Sequence, residues 1–187
     1  STISSGVNNG IKGASLIAGG GPFEQMVRQG LFTMFVGDIL DKPKLELEQK
    51  LALFQYIMDA GDPVNYAARF EDRASQPKDI LVWEGIDDPI MNNPATDRKA
   101  VEIGAVLMTP FHHGVAGMQE AVMPLSGNFG WAGVEKKGTR AMFQISYPEE
   151  LKNAVHALIL NDPLNHAITA GCFASRLKNG VCTLAQP

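Results

Sequence analysis

The chain has 187 residues, 45% of them hydrophobic and 19% charged, which supports one globular domain with a sizeable core and excludes a disordered or fibrous class. The formal net charge is −4 and there is no Lys/Arg cluster, so the electrostatic footprint of a nucleic-acid-binding protein is missing. No apolar run approaches the ~20 residues that span a bilayer, and the small polar residues at the start do not read as a secretory leader.

The sequence opens at Ser1, without Met, on the polar stretch STISSGVNNG, as a cut or processed chain would. Residues 11–18, IKGASLIA, read as a buried strand that ends in the glycines at 19–21. Residues 23–40 place Phe23, Met26, Val27, Leu31, Met34 and Phe35 at helical spacing with only a thin polar face, which predicts a covered helix. A second helix is predicted over 44–60, with Leu47, Leu51, Phe54 and Met58 as its stripe and Gly61 as its C-cap; Asp62-Pro63 then starts a turn. DILVWE at 79–84 is the best strand in the chain. It is followed by a helix start at Asn93-Pro94, with Asn93 as N-cap, and a helix running to Gly104. Strand, loop and helix within so few residues predict an α/β fold with a mostly parallel sheet. Residues 105–138 are loop-rich and read as an excursion. RAMFQISY at 140–147 forms the next strand, helical segments follow at 149–160 and 165–178 up to Asn179-Gly180, and VCTL makes a short last strand.

Cys172 and Cys182 form either one disulfide, which would imply an oxidising compartment, or two buried thiols. No cysteine–histidine cluster predicts a metal, and the adjacent His112 and His113 have no carboxylate cluster close in sequence; the pair reads as a loop feature that could line a substrate path. The glycines at 19–21 lack every phosphate-loop spacing. No cofactor is expected.

The chemistry rests on an order of elements. Asp87 and Asp88 follow one strand and His156 follows another, and in open parallel sheets functional groups gather at the carboxyl ends of strands. An acid and an imidazole brought together there can activate a nucleophile. Asp87 is the alternative acid and His166, at the opening of the last helix, the alternative base.

Four stretches resemble α/β-hydrolases, especially large secreted bacterial lipase- or esterase-like proteins. VWEGIDDPIMNNPATDRKAVEIG is similar to their acid-bearing segment, with Asp88 in the position of the acid. GTRAMFQISY resembles their last core strand, HALILNDPLNHAITAGCFASRLKNG the segment that opens with the catalytic histidine, here His156, and IKGASLIAGGGPF the strand after the nucleophile-bearing helix. The family's G-x-S-x-G elbow is missing from this chain. The resemblance therefore implies the C-terminal part of a hydrolase sheet over 1–187, an incomplete single domain with a helical cap-like region at 22–75 and a loop-rich insertion at 105–138. The serine and the oxyanion hole would lie upstream, on a missing or separate chain that is this chain's partner. The implied activity is hydrolysis of a small apolar, lipid-like ester, with Met26, Phe32, Met34 and Phe35 of the cap facing the acyl group, in a secreted or cell-envelope protein. The competing expectation is a non-catalytic hydrolase-fold subunit with a structural or binding role.

Overall fold

A computed structural model describes residues 2–8, 10–29, 45–67 and 77–186. After a short helix α1 (Thr2–Val7), the chain forms β1 (Gly13–Ile17), α2 (Phe23–Gln29), α3 (Leu47–Met58), a 3-10 turn at Asp59–Gly61 and α4 (Val64–Ala67). There follow β2 (Asp79–Gly85), α5 (Asn93–Ile103), β3 (Val106–Met108), β4 (Glu120–Ala121), β5 (Leu125–Ser126) and β6 (Arg140–Ile145). A 3-10 helix at Glu149–Ala154 leads into α6 (Val155–Leu160), α7 (Pro163–Asn179) and β7 (Thr183–Leu184).

The main sheet has the order β1-β2-β6-β3-β4, and every neighbouring pair in it is parallel. β5 and β7 form a separate antiparallel pair. The expected α/β architecture is present. β2 lies in the interior of the sheet and all seven of its residues are buried, which explains why its sequence is an almost continuous apolar run instead of an alternating one. Alternation sends its side chains to two cores. Leu81 and Trp83 join Phe143, Ile159, Ile168 and Cys172 on the side covered by α6 and α7; Ile80 and Val82 join Leu16, Ala100, Ile103 and Met142 on the side covered by α4 and α5. Trp83 and Phe143 are register partners and stack with ring centroids 4.3 Å apart. Their indole and phenyl faces fill the layer under α6.

Several boundaries differ from those the sequence predicts. The N-cap of α5 is Asn92, whose side chain accepts from the Ala95 N–H, so Asn93 and Pro94 are already inside the helix. Either asparagine satisfies the preference for a short polar acceptor, and only the backbone geometry separates them. Gly104 ends the helix with φ 72°, where a side chain would be strained. α3 is followed by a 3-10 turn with Asp59 at its C-cap position, and Gly61 closes that turn instead of the helix. The stretch 105–138 holds three short strands, two of which extend the main sheet beyond β6. The helix predicted over 23–40 is seen as Phe23–Gln29, and its remainder lies outside the described residues. Cys172 and Cys182 are joined in a disulfide that ties α7 to the segment entering β7.

Candidate active site

The turn after β2 carries the acid. Ile86 N–H continues the pairing with β6 by donating to the Ile145 carbonyl, and the chain then turns through Asp87, which adopts a left-handed conformation (φ 60°). The Asn93 side chain braces the turn, its amide donating to the Gly85 carbonyl (2.8 Å) and its oxygen accepting from the Asp87 N–H (3.0 Å). Asp88 is buried, and its Oδ1 accepts from the N–H groups of Ile90 (2.8 Å) and Met91 (3.0 Å). Two backbone donors fix one oxygen and leave Oδ2 aimed in a single direction.

That direction is His156. Its Nδ1 lies 2.8 Å from Asp88 Oδ2, although the two residues are 68 positions apart. His156 is the second residue of α6, which packs against the end of β2 so closely that a Cβ on Gly85 would sit 2.5 Å from Val155 Cγ1. Glycine at 85 is therefore what lets the helix approach the strand. The far end of α6 is held by Asp162, which caps α7 by accepting from the Leu164 and Asn165 N–H groups and also accepts from the Tyr147 hydroxyl (2.8 Å). Burial, and then that carboxylate, holds the Tyr147 phenol above its usual range. The exit of β6 and the start of α7 are thus tied together on either side of the histidine helix.

A carboxylate opposite Nδ1 requires a proton on Nδ1, and in the neutral imidazole that leaves Nε2 with its lone pair. The His156 side chain is 26% exposed, and among the described residues Nε2 has no hydrogen-bond partner. The arrangement is an oriented imidazole with a basic nitrogen open to an incoming group.

The other expected residues are placed elsewhere. Asp87 is exposed, and its backbone, not its carboxylate, meets Asn93. His166 lies on the exposed side of α7, with Nε2 3.0 Å from the Leu160 carbonyl. Met26 is buried and packs against Met91 and Ala95, so α2 rests on the loop that follows Asp88; Asn92 reinforces this contact by donating to the Gln25 carbonyl (2.6 Å). Phe32, Met34 and Phe35 lie outside the described residues.

A second group of donors, missed in the sequence, sits on the other side of β2. Glu84, Asp97 and His113 bring one donor atom each to within 4.8 Å of one another. Burial, and then the charge of Asp97, pushes the Glu84 carboxyl up to about 8; the amides of Asn93 and Gln144 and the ammonium of Lys99 oppose that shift. Burial likewise lowers the Lys99 ammonium to about 7 against the opposing pull of Glu84.

Compared with family models, curated proteins and solved structures, the chain finds no match. Among the described residues no helix is long and apolar enough to cross a membrane.

Proposed function

We propose that the chain supplies the acid and the base of a serine ester hydrolase whose nucleophile lies on an upstream segment or a second chain. The observation that carries this reading is the 2.8 Å contact between Asp88 Oδ2 and His156 Nδ1 at the carboxyl ends of two adjacent parallel strands. In the proposed reaction His156 Nε2 takes the proton of a serine hydroxyl as its oxygen attacks the ester carbonyl. The imidazolium then gives that proton to the leaving alcohol, and the same nitrogen activates the water that releases the acid. Asp88 holds the ring in the required tautomer and stabilises its charged form.

Acid precedes histidine along this chain, as in α/β-hydrolases, and the proposal puts the serine upstream of both. Further support comes from β1. It pairs with β2 on one side, and among the described residues no strand pairs with its other edge. In the proposed assembly the strand leading to the serine adds there, and α1 is the end of the helix that follows the serine. α2, anchored over the Asp88 loop, and α3 belong to a helical cap. Leu47, Leu53, Tyr56 and Ile57 of α3 are exposed, and such a surface suits an apolar, lipid-like ester. The disulfide supports a secreted or cell-envelope location.

The test is activity-based labelling of the assembled protein with a fluorophosphonate, read by mass spectrometry. The expected label sits on a serine upstream of residue 1. It is lost in His156→Ala and retained in His166→Ala and Asp87→Asn. A label that survives His156→Ala removes the proposed base. An assembled protein that takes no label at all leaves the competing reading, a non-catalytic subunit.

A further inference from the structure

Glu84 stands one residue before Gly85, so strand alternation turns it away from α6 and toward α5. Its side chain is only 1% exposed, and neither carboxylate oxygen makes a hydrogen bond of acceptable geometry. Asp97, on α5, is in a similar state: its Oδ1 is buried without a partner, while its Oδ2 meets His113 Nε2 at 3.0 Å. His113 Nε2 is also 3.8 Å from Glu84 Oε2. The loop bearing His113 is docked firmly, because Gln144 Oε1 accepts from the backbone N–H of both His112 (2.8 Å) and His113 (2.9 Å). Gln144 is the register partner of Glu84 on β6, so the loop, β2 and β6 are fixed together. Lys99 is buried nearby, yet its ammonium donates to the Gly19 carbonyl instead of bridging to Glu84.

Glu84, buried with unmet lone pairs beside the partly covered Asp97, is costly to keep ionised; a proton relieves that cost, and so does a cation shared with Asp97 and His113. Ligand atoms held about 2.1 Å from a tetrahedral ion lie about 3.4 Å apart; the two separations from His113 Nε2, 3.0 and 3.8 Å, bracket that value, and all three donor atoms lie within 4.8 Å of one another. An imidazole among the donors favours a first-row transition ion, whereas calcium would require six or more oxygen ligands.

We propose that Glu84, Asp97 and His113 form a binding site for one divalent transition cation of the zinc class, with solvent completing its coordination. The ion cross-links β2, α5 and the loop after β3. It lies on the face of the sheet opposite His156 and is independent of the hydrolase reading.

The probe is zinc itself. The protein as purified, with any accompanying chain, is stripped with a chelator and titrated against a chromophoric zinc indicator, with stoichiometry by elemental analysis. The expected result is one zinc ion per chain and a higher melting temperature on loading. Glu84→Gln, Asp97→Asn and His113→Ala each weaken binding by more than about 10-fold, the scale on which even outer partners of a metal ligand act, while His112→Ala leaves it unchanged. Circular dichroism of each metal-free variant checks its fold. His113 is the most exposed of the three donors, so zinc retained by folded His113→Ala overturns the proposal even if a carboxylate variant unfolds. Absence of zinc binding, preference for calcium, or binding that fails in His112→Ala overturns it equally.

Discussion

Gly85 sets how closely the histidine helix can approach the strand that carries the acid. A methyl group there would meet Val155 Cγ1 at 2.5 Å. Gly85→Ala is expected to lower stability by about 1–3 kcal/mol, the usual range for overpacking a core, measured by urea unfolding. Because Val155 is the neighbour of His156, the same variant should also lower turnover of the proposed hydrolase. Asp88→Asn keeps the shape of the acid but presents an amide to Nδ1, which favours the wrong tautomer. On the hydrolase proposal a fall of roughly 10³–10⁴-fold in kcat is expected, with the melting temperature changed far less. Asp88 was legible as a residue of the turn after a strong strand, and its choice over Asp87 came from the resemblance and not from spacing. The two differ only in backbone: Asp87 takes the left-handed conformation and faces solvent, while Asp88 turns inward. The Glu84, Asp97 and His113 cluster was not legible, because its donors come from a strand, a helix and a loop and no spacing rule joins them.

Among the elements, α7 carries two supports that can be removed separately. Asp162 caps its first turn and also receives the Tyr147 hydroxyl. Asp162→Ala should therefore cost about 1–2 kcal/mol, against roughly 1 kcal/mol for Tyr147→Phe, with both read by thermal or urea unfolding. The further loss when Asp162→Ala is made in the Tyr147→Phe background measures the cap alone. At its other end the disulfide closes a loop over a sequence separation of 10. Replacing both cysteines by alanine should cost about 2–3 kcal/mol by chain-entropy reasoning, and the wild-type protein should lose a similar amount in reductant. The ends of α5 and α7 were legible, because each closes at a glycine of positive φ; their starts were not, since the sequence pattern put the N-cap of α5 at Asn93 instead of Asn92 and the opening of α7 at residue 165, past Asp162 and Pro163. β3 and β4 were not, since strands of two or three residues leave no alternation to detect. Pairing with β6 and with each other makes them strands, and that pairing is a property of the fold rather than of the local sequence.

At the scale of the whole molecule, alternating strands and helices implied a parallel sheet, but the placement of β6 between β2 and β3 has no local signature. Among the described residues the order leaves β1 at one edge of the sheet, where a row of its backbone groups has no ladder partner. The hydrogen bonds show which groups are on that edge. Asp79 N–H donates to the Lys12 carbonyl and Ala18 N–H to the Trp83 carbonyl, so the even-numbered N–H groups of β1 point to β2. By alternation those of Ser15 and Ile17 point outward, where a strand of the proposed upstream half would pair. Proline at 15 removes one outward donor and places its ring on that edge, without touching the bonds to β2. Ser15→Pro should therefore still give a folded chain by circular dichroism but recover much less of the upstream half when the two are co-expressed and purified through a tag on this one. Ser15→Ala controls for the lost contact of the hydroxyl with Thr169 Oγ1 (3.3 Å) and should recover the partner as wild type does. If Ser15→Pro carries the upstream half at the wild-type ratio, the two parts do not join through β1, and the serine has to reach His156 from another direction.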